Sequence, residues 1–524
     1  MVTQYGIKFA VHLINSHFGN LVSKVCENLL RRGPLTLQLL IRFTELTPVQ
    51  VKNSLLILIQ HNCVQAYSSE QTGAGGNEIK VTQYLVLFDN ILHRLRFPKF
   101  LAIVSEELDK DCEELFEGLL QHGRLTLEQI YERAKSNKSE GDHAVQDAVR
   151  ESFHRLISAR FVERCPAPEP FVEPPSPQKS SNKRGAKSAK SGEILETAEQ
   201  RILAAAVPVE AIRFSIMITT EDTEKTSDGS SNRNVGEKRK HGELDSDEEF
   251  VSNDKDIILW RANFEEFIRC LRHKACIENV RARLDDGAAI VLRATLDATR
   301  TAETKVRTEN SVPLSVETIF EEVMKSELGR SMTLDRVRAS LEQLGCPPSM
   351  IGLDETYSID LKKIIELAQN EEVESIVLKR YGKNAYRMFR LLSKKDDQLL
   401  ETDKIADTTL VEKKETPKIL FKLWKDEYLQ MEKLVFTGKP AILLWKVNKP
   451  ILWQNVLDEM YHAALNLSLR VIYEQEQHKE LFTIPAEKRT GQLEKDFKRI
   501  RNVKIYLESS LMKLDDALML FHDF

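Results

Sequence analysis

A pattern of residues that occurs twice constrains the architecture of this chain more than any other feature. The segment ENLLRRGPLTLQLL, residues 27–40, is matched by EGLLQHGRLTLEQI, residues 117–130. The positions at which the two copies agree, in order, include Leu29, Leu30, Gly33, Leu35, Thr36 and Leu37 of the first copy. Agreement in this order indicates an internal repeat, and a repeat constrains the architecture more strongly than any local feature does.

Residues 24–67, which contain the first copy, predict a helix, a turn, a second helix, a turn, a longer helix and a strand. Thr36 is a candidate N-cap for the second helix, and Thr47 caps the third, with Pro48 in its first turn, where a missing N–H costs nothing. A second apolar strand is predicted over residues 79–88. Three helices followed by two strands are the outline of a winged helix.

Composition and spacing divide the chain into six predicted parts. After residue 165 the sequence is rich in Pro, Ser, Lys and Gly and cannot bury enough apolar surface to order, so it predicts a linker. Trp260, Phe264 and Phe267 are spaced as on a helix, which opens a third winged helix. The parts are winged helix 1 (1–92), winged helix 2 (93–165), a charged, largely flexible linker (166–254), winged helix 3 (255–360), winged helix 4 (361–447) and a C-terminal helical hairpin (448–524).

The hairpin prediction rests on two apolar seams that alternate spacings of four and three residues on either side of Pro485, with Lys504 as the one polar member. The fold class predicted for the whole chain is therefore mostly α with small β wings. It consists of tandem winged-helix domains plus a C-terminal antiparallel coiled-coil hairpin.

Charge and cysteine usage exclude several classes of protein. The formal net charge of −5 argues against a chain coated in basic residues, so any nucleic-acid contact must be local. Seven scattered cysteines without a CxxC pair fit a reducing compartment. No apolar run is long enough to span a bilayer. A soluble nuclear or cytosolic protein is expected.

The residues that could bind a metal or act in catalysis are better explained by a role in packing. Cys270, His273 and Cys276 lie three residues apart, but a closed zinc site needs four ligands and no fourth stands nearby. Ordinary helix packing is therefore expected there. No nucleophile, base and orienting group occur together, so we expect neither an enzyme, nor a metal, nor a cofactor.

The strongest functional signal is electrostatic. Residues 375–395 contain no Asp or Glu, while their cations are interleaved with Tyr381, Tyr386 and Phe389. Such a cluster can neutralise phosphates and offer stacking surfaces. Its alternatives are an acidic protein surface or a solvated helix face whose aromatic side chains belong to the core. The residues predicted to bind nucleic acid are Lys379, Arg380, Lys383, Arg387 and Arg390.

Two other features support weaker hypotheses, and a third feature argues against the reading of bases. Lys238, Arg239 and Lys240 form a basic triplet that resembles a nuclear import signal. Ser246 lies among acidic residues and suits an acid-directed kinase. The third helix of winged helix 1 carries only Lys52 among its cations, which argues against a role in reading bases in the major groove.

Several stretches resemble one known family. They are the opening IKFAVHLINSHFGNLVSKV, the helix VKNSLLILIQHN, and YGKNAYRMFRLL at residues 381–392. Over nearly its whole length the chain is similar to the winged-helix subunits of the RNA polymerase III initiation subcomplex. These are the third subunits of that polymerase and are related to general transcription factor IIE alpha.

The resemblance implies a non-catalytic nuclear subunit without cofactors. Such a subunit sits on the clamp of the largest polymerase subunit, binds two smaller subunits, helps recruit a promoter-bound initiation factor and keeps DNA melted. The alternative is a helical scaffold subunit of another complex, of the proteasome-lid or initiation-factor type. Those scaffolds usually carry one winged helix, so the repeat favours the polymerase subunit.

Overall fold

The computed structural model describes residues 2–524 except 73–77, 138–141, 173–196, 216–257, 301, 304–306, 348, 352–353, 395–397, 436–440 and 486–490. The basic triplet at Lys238 and the serine at position 246 lie outside the described residues. The chain forms two compact units, residues 32–264 and residues 1–31 with 265–524. Within the described ranges, no helix is both long and apolar enough to cross a membrane.

The first winged helix follows the predicted order of elements. Thr36 Oγ1 accepts a hydrogen bond from Leu39 N, and Thr47 and Gln50 form a reciprocal capping box, so both predicted N-caps are confirmed. Leu35 forms an isolated antiparallel β-bridge to Tyr84. The elements are α1 (Gln4–Phe18), α2 (Asn20–Arg32), α3 (Leu37–Thr44), α4 (Pro48–Gln60), β1 (Val64–Thr72) and β2 (Glu78–Val86).

The second copy of the repeat has the same local geometry as the first. Gly33 and Gly123 occupy equivalent positions, and their φ angles are 81° and 82°, in the left-handed region that favours glycine. Thr126 and Gln129 exchange hydrogen bonds as Thr47 and Gln50 do. The elements are α5 (Phe88–His93), a 3₁₀ turn (Arg94–Arg96), α6 (Phe97–Glu107), α7 (Lys110–His122), β3 (Leu125–Thr126), α8 (Leu127–Asn137), α9 (Asp142–Ser158) and β4 (Val162–Arg164).

The predicted linker is partly folded. It contains β5 (Phe171–Val172), α10 (Ala198–Ala206) and α11 (Glu210–Arg213). β5 pairs in parallel with β1, and Ile202 of α10 packs with Tyr67 and Leu85 against the sheet of the first winged helix. The short apolar run of α10 finds a partner that is distant in sequence, which composition alone does not reveal.

The second winged helix is completed by a strand that comes after the linker. The strand β6 (Leu259–Ala262) lies between β3 and β4 and pairs antiparallel with both. Trp260 is buried, and its ring meets Phe153 edge-on at a centroid distance of 5.3 Å. The prediction that Trp260 belongs to a helix of winged helix 3 is therefore wrong. Trp260 and Ala262 alternate with more exposed neighbours, which is the period of a strand.

Buried charge holds the end of the linker to this sheet. Glu163 on β4 is 3% exposed and receives the guanidinium groups of Arg213 and Arg261, the second at 2.8 Å. Arg164 also donates to the Ser215 carbonyl at 2.9 and 2.6 Å. Because removal of one partner would leave a buried charge unpaired, these contacts fix α11 against β4.

The third winged helix has the predicted helix pair and wing. The sequence makes Thr333 a candidate N-cap, and it caps α15 (Leu334–Gln343). The sheet of β7 (Leu314–Ser315), β8 (Ser349–Ile351) and β9 (Asp354–Tyr357) has the order β7-β9-β8. Its core is built from α13, α14 and α15 around Val291, Ile319 and Leu341. The elements are α12 (Phe264–Arg283), α13 (Asp286–Thr299), β7 (Leu314–Ser315), α14 (Val316–Lys325), a 3₁₀ turn (Gly329–Ser331), α15 (Leu334–Gln343), β8 (Ser349–Ile351) and β9 (Asp354–Tyr357).

The fourth winged helix also matches its prediction, including the wing hairpin. Leu434 pairs with Ile442 in the antiparallel strands β11 and β12, and the sheet has the order β10-β12-β11. The short helix α17 was not predicted from the sequence. The elements are α16 (Leu361–Lys394), β10 (Leu400–Glu401), α17 (Thr402–Thr409), α18 (Thr416–Lys425), β11 (Gln430–Leu434) and β12 (Ile442–Lys446).

The C-terminal segment is a helical hairpin of α19 (Lys449–Gln477) and α21 (Gln492–His522), with the short helix α20 (Lys479–Thr483) between them. The ring of Tyr461 lies 6.1 Å from that of His522, and Phe482 lies 5.7 Å from Phe497, so the two long helices are antiparallel. The predicted seam differs in detail, since Leu493 is 41% exposed.

Helix α1 packs on this hairpin, although the sequence groups it with winged helix 1. Tyr5 N donates to Asp458 Oδ1 at 3.0 Å, and His12 Nε2 is 2.9 Å from Ser468 Oγ. The Tyr5 ring also stacks on His462 at 4.1 Å. The apolar face of α1 is thus buried against a partner more than four hundred residues away in sequence, which periodicity cannot identify.

We expect Trp260→Ala to loosen the sheet of the second winged helix, because removal of a buried Trp side chain costs about 3–5 kcal/mol. Hydrogen exchange at residues 125–126 and 162–164 should accelerate, while the exposed Trp424→Ala serves as the control. Unchanged protection at both sites would show that β6 does not stabilise this sheet.

Candidate nucleic-acid interface

The predicted basic cluster lies on α16, which changes direction at Gly382. This residue has φ 83° and ψ −178°, a conformation open essentially to glycine alone. It separates a helical segment that ends at Tyr381 from one that runs from Lys383 to Lys394. The Tyr381-Gly382 pair in the sequence predicts a turn at this point, and the structure confirms it.

The second segment of α16 has one buried face and one basic face. Ala385, Met388, Phe389 and Leu392 are buried. Four exposed cations are spaced by four, three and four residues, so at about 100° per residue they fall within roughly 60° of one another, opposite the buried face. They are Lys383, Arg387, Arg390 and Lys394, and we refer to them as the basic stripe.

Two of the five predicted site residues are engaged within the chain. Arg380 Nη1 donates to Glu459 Oε2 at 2.6 Å and to the Tyr428 hydroxyl at 3.2 Å. Arg390 Nη1 donates to the Tyr386 hydroxyl at 2.8 Å, and its Nε lies 3.8 Å from Glu374 Oε2. These contacts reduce the charge that Arg380 and Arg390 offer to a ligand.

The other three predicted residues remain exposed. Lys379, Lys383 and Arg387 take part in none of the ion pairs found among the described residues. Charges in this state keep their full attraction for an anion, since no neighbouring carboxylate offsets them. Lys383 and Arg387 also belong to the basic stripe, so they are the strongest candidates for a phosphate contact.

The aromatic residues of the cluster differ in exposure, since Tyr381 and Tyr386 are half-buried and Phe389 is buried. Phe389 is 1% exposed. The Tyr381 hydroxyl donates to Asp426 Oδ2 at 2.6 Å, and burial together with this carboxylate raises the pKa of Tyr381. Burial likewise raises the pKa of Tyr428. The side chains of Phe389 and Tyr381 therefore anchor α16, whereas the basic stripe would attract a ligand through its charge.

A second basic surface, on α18, was missed. The sequence indicates a core role for Trp424, but this residue and Phe421 are 37% and 54% exposed. Lys418, Lys422 and Lys425 are exposed beside them. The signal available in the sequence was the spacing of these lysines by four and three residues.

The possible metal ligands Cys270 and His273 instead contact neighbouring side chains. Cys270 Sγ accepts from Arg300 Nη2 at 3.6 Å, and His273 Nε2 is 3.3 Å from Glu303 Oε2. Burial raises the pKa of the Cys276 thiol to about 11. In the part of the chain that the structure describes, no group of three or more His, Cys, Asp or Glu side chains is arranged to hold a metal ion.

Among the described residues, four three-stranded sheets, each with helices that pack against it, define a tandem winged-helix protein. Three family models match the chain: the RNA polymerase III subunit RPC82 helix-turn-helix domain (residues 8–69), RNA polymerase III subunit RPC82 (151–392) and the POLR3C C-terminal winged-helix domain (373–440). The chain belongs to the RPC82 family of RNA polymerase III subunits. The predicted family resemblance is confirmed.

Curated relatives agree with this family over most of the chain. DNA-directed RNA polymerase III subunit RPC3 of Danio rerio is 25% identical over 497 residues, which cover 92% of this chain and 86% of the relative. The human protein of the same name is 24% identical over 501 residues with the same coverage. The Dictyostelium discoideum subunit is 21% identical and is matched over its whole length. These are non-catalytic subunits, as predicted for this chain.

We expect Gly382→Ala to destabilise the fourth winged helix by about 1–3 kcal/mol, because a side chain is strained at this backbone conformation. A control is Gly118→Ala in the interior of α7, where a Cβ meets nothing within 4 Å and alanine should stabilise by about 0.5–1 kcal/mol. Thermal unfolding and hydrogen exchange at residues 383–394 report the difference. Equal behaviour of the two variants would contradict the need for a glycine at the bend.

Proposed function

We propose that this subunit acts in transcription initiation by RNA polymerase III in the nucleus. It docks on the clamp of the largest subunit, binds two smaller subunits and a promoter initiation factor, and helps hold DNA melted. What supports this is the membership of the family, together with four winged-helix sheets that offer separate surfaces on one chain. The α4 helix, with Lys52 as its only cation, suits contact with protein.

We assign the DNA contact to the second segment of α16. The observation that carries this assignment is the basic stripe, which is exposed along its length and faces away from the buried core. A row of cations can follow a phosphate backbone, and contacts of this kind carry no sequence information. Such a contact suits a strand of melted DNA, whose sequence differs from one promoter to the next.

Purification of the tagged full-length chain from nuclei tests the assembly. We expect the large RNA polymerase III subunits and two smaller subunits to copurify with it. A preparation that contains none of the large subunits would contradict the role in the polymerase.

Charge reversal tests the DNA contact. We expect Lys383→Glu with Arg387→Glu to weaken binding of a single-stranded oligonucleotide and to lower the salt slope by about 1.4, roughly 0.7 for each lost phosphate contact. Lys479→Glu with Lys495→Glu changes the net charge equally at exposed positions on α20 and α21. Fluorescence anisotropy over a salt series measures both pairs. Equal losses would indicate a nonspecific charge effect and would remove α16 from the site.

A further inference from the structure

Helix α18, the third helix of the fourth winged helix, presents a surface that the DNA contact does not use. Leu420 and Leu423 are buried in the domain, while the remaining side faces outward. At about 100° per residue, Lys418, Lys422 and Lys425 fall within roughly 60° of one another on that outward side. We refer to these lysines with Phe421 and Trp424 as the α18 face.

Two aromatic side chains form the apolar part of the α18 face. The rings of Phe421 and Trp424 lie 5.2 Å apart at 44° and are 54% and 37% exposed. Large aromatic side chains gain about 1.5–3 kcal/mol each when they leave water. An exposed aromatic pair surrounded by polar residues is typical of the centre of a protein interface.

The lysines flank this pair with positive charge along one side. Lys418 and Lys425 take part in no ion pair among the residues that the structure describes, and both are exposed. Lys422 Nζ lies 5.2 Å above the ring of Tyr381, which keeps its position fixed beside Phe421. The complement of such a face is a segment with apolar side chains between carboxylates.

Nucleic acid fits the α18 face less well than protein does. The two rings pack on each other at a tilt, so each ring gives part of its face to the other and not to a base. The helix contains no Arg, Asn or Gln, so lysine is the one side chain on it that commonly reads base edges in the major groove.

We propose that the α18 face docks an acidic segment of another subunit of the polymerase, whose apolar side chains cover Phe421 and Trp424 and whose carboxylates pair with the three lysines. This partner class rests on the assembly proposed above. It is independent of the DNA contact, which uses the basic stripe of α16.

Site-specific photo-crosslinking in the assembled polymerase tests the proposal. The photoreactive residue p-benzoylphenylalanine replaces Phe421 in the full-length chain, and the polymerase is purified before irradiation. We expect a crosslink to a protein segment rich in Asp and Glu in another subunit. The same residue at Tyr506, which is 74% exposed on α21, should not label that segment.

Charge reversal then tests the role of the lysines. Lys418→Glu, Lys422→Glu and Lys425→Glu together should lower the yield of the position-421 crosslink by about tenfold. The control changes three exposed lysines of α20 and α21, Lys479→Glu, Lys495→Glu and Lys513→Glu, and should leave the yield unchanged. Hydrogen exchange at the buried residues of α18 verifies that both triple variants fold.

The outcomes separate the two proposals. A crosslink from position 421 to DNA, to a neutral or basic segment, or to nothing in an intact polymerase would overturn the docking proposal alone. Absence of polymerase subunits around the unsubstituted chain would overturn the proposed assembly and, with it, the partner assigned to the α18 face.

Discussion

The pairing of β6 with β3 and β4 is the constraint on which the architecture of residues 32–264 depends. Glu163 and Arg261 face each other across β4 and β6 although 98 residues separate them. Closing so long a loop is entropically unfavourable, but each doubling of its length adds only about 0.6 kcal/mol. Burial of Trp260 and the paired charge of Glu163 offset that cost. The second winged helix therefore includes both ends of the segment that the sequence sets apart as a linker.

The sequence correctly predicted those features that depend only on residues close together in the chain. The caps at Thr36, Thr47 and Thr333 and the turn at Gly382 depend on residues within four positions, and all were found as expected. The placement of Trp260, the docking of α10 on the first sheet and the contact of α1 with α19 each depend on a partner distant in the chain. Periodicity identifies an apolar face in such cases but not the surface that covers it.

The same distinction applies to the candidate site. The absence of acids over residues 375–395 located a basic helix, and its periodicity separates the basic stripe from the core. Glu459 and Glu374 lie outside that window, so the ion pairs that reduce the charge of Arg380 and Arg390 were not visible in its composition. On α18, Trp424 has the spacing of a core residue, and only the three-dimensional structure separates it from Leu423.

The contact between α1 and the hairpin has a consequence for synthesis. Tyr5 leaves the ribosome 453 residues before Asp458, its hydrogen-bond partner. At typical elongation rates of about 5–20 residues per second, that interval lasts roughly 20–90 s. During this time Phe9, Leu13 and Ile14 lack the surface that α19 later provides. The surface that buries the apolar face of α1 is thus among the last parts of the chain to be made, and α1 can reach its folded environment only after α19 has been synthesised.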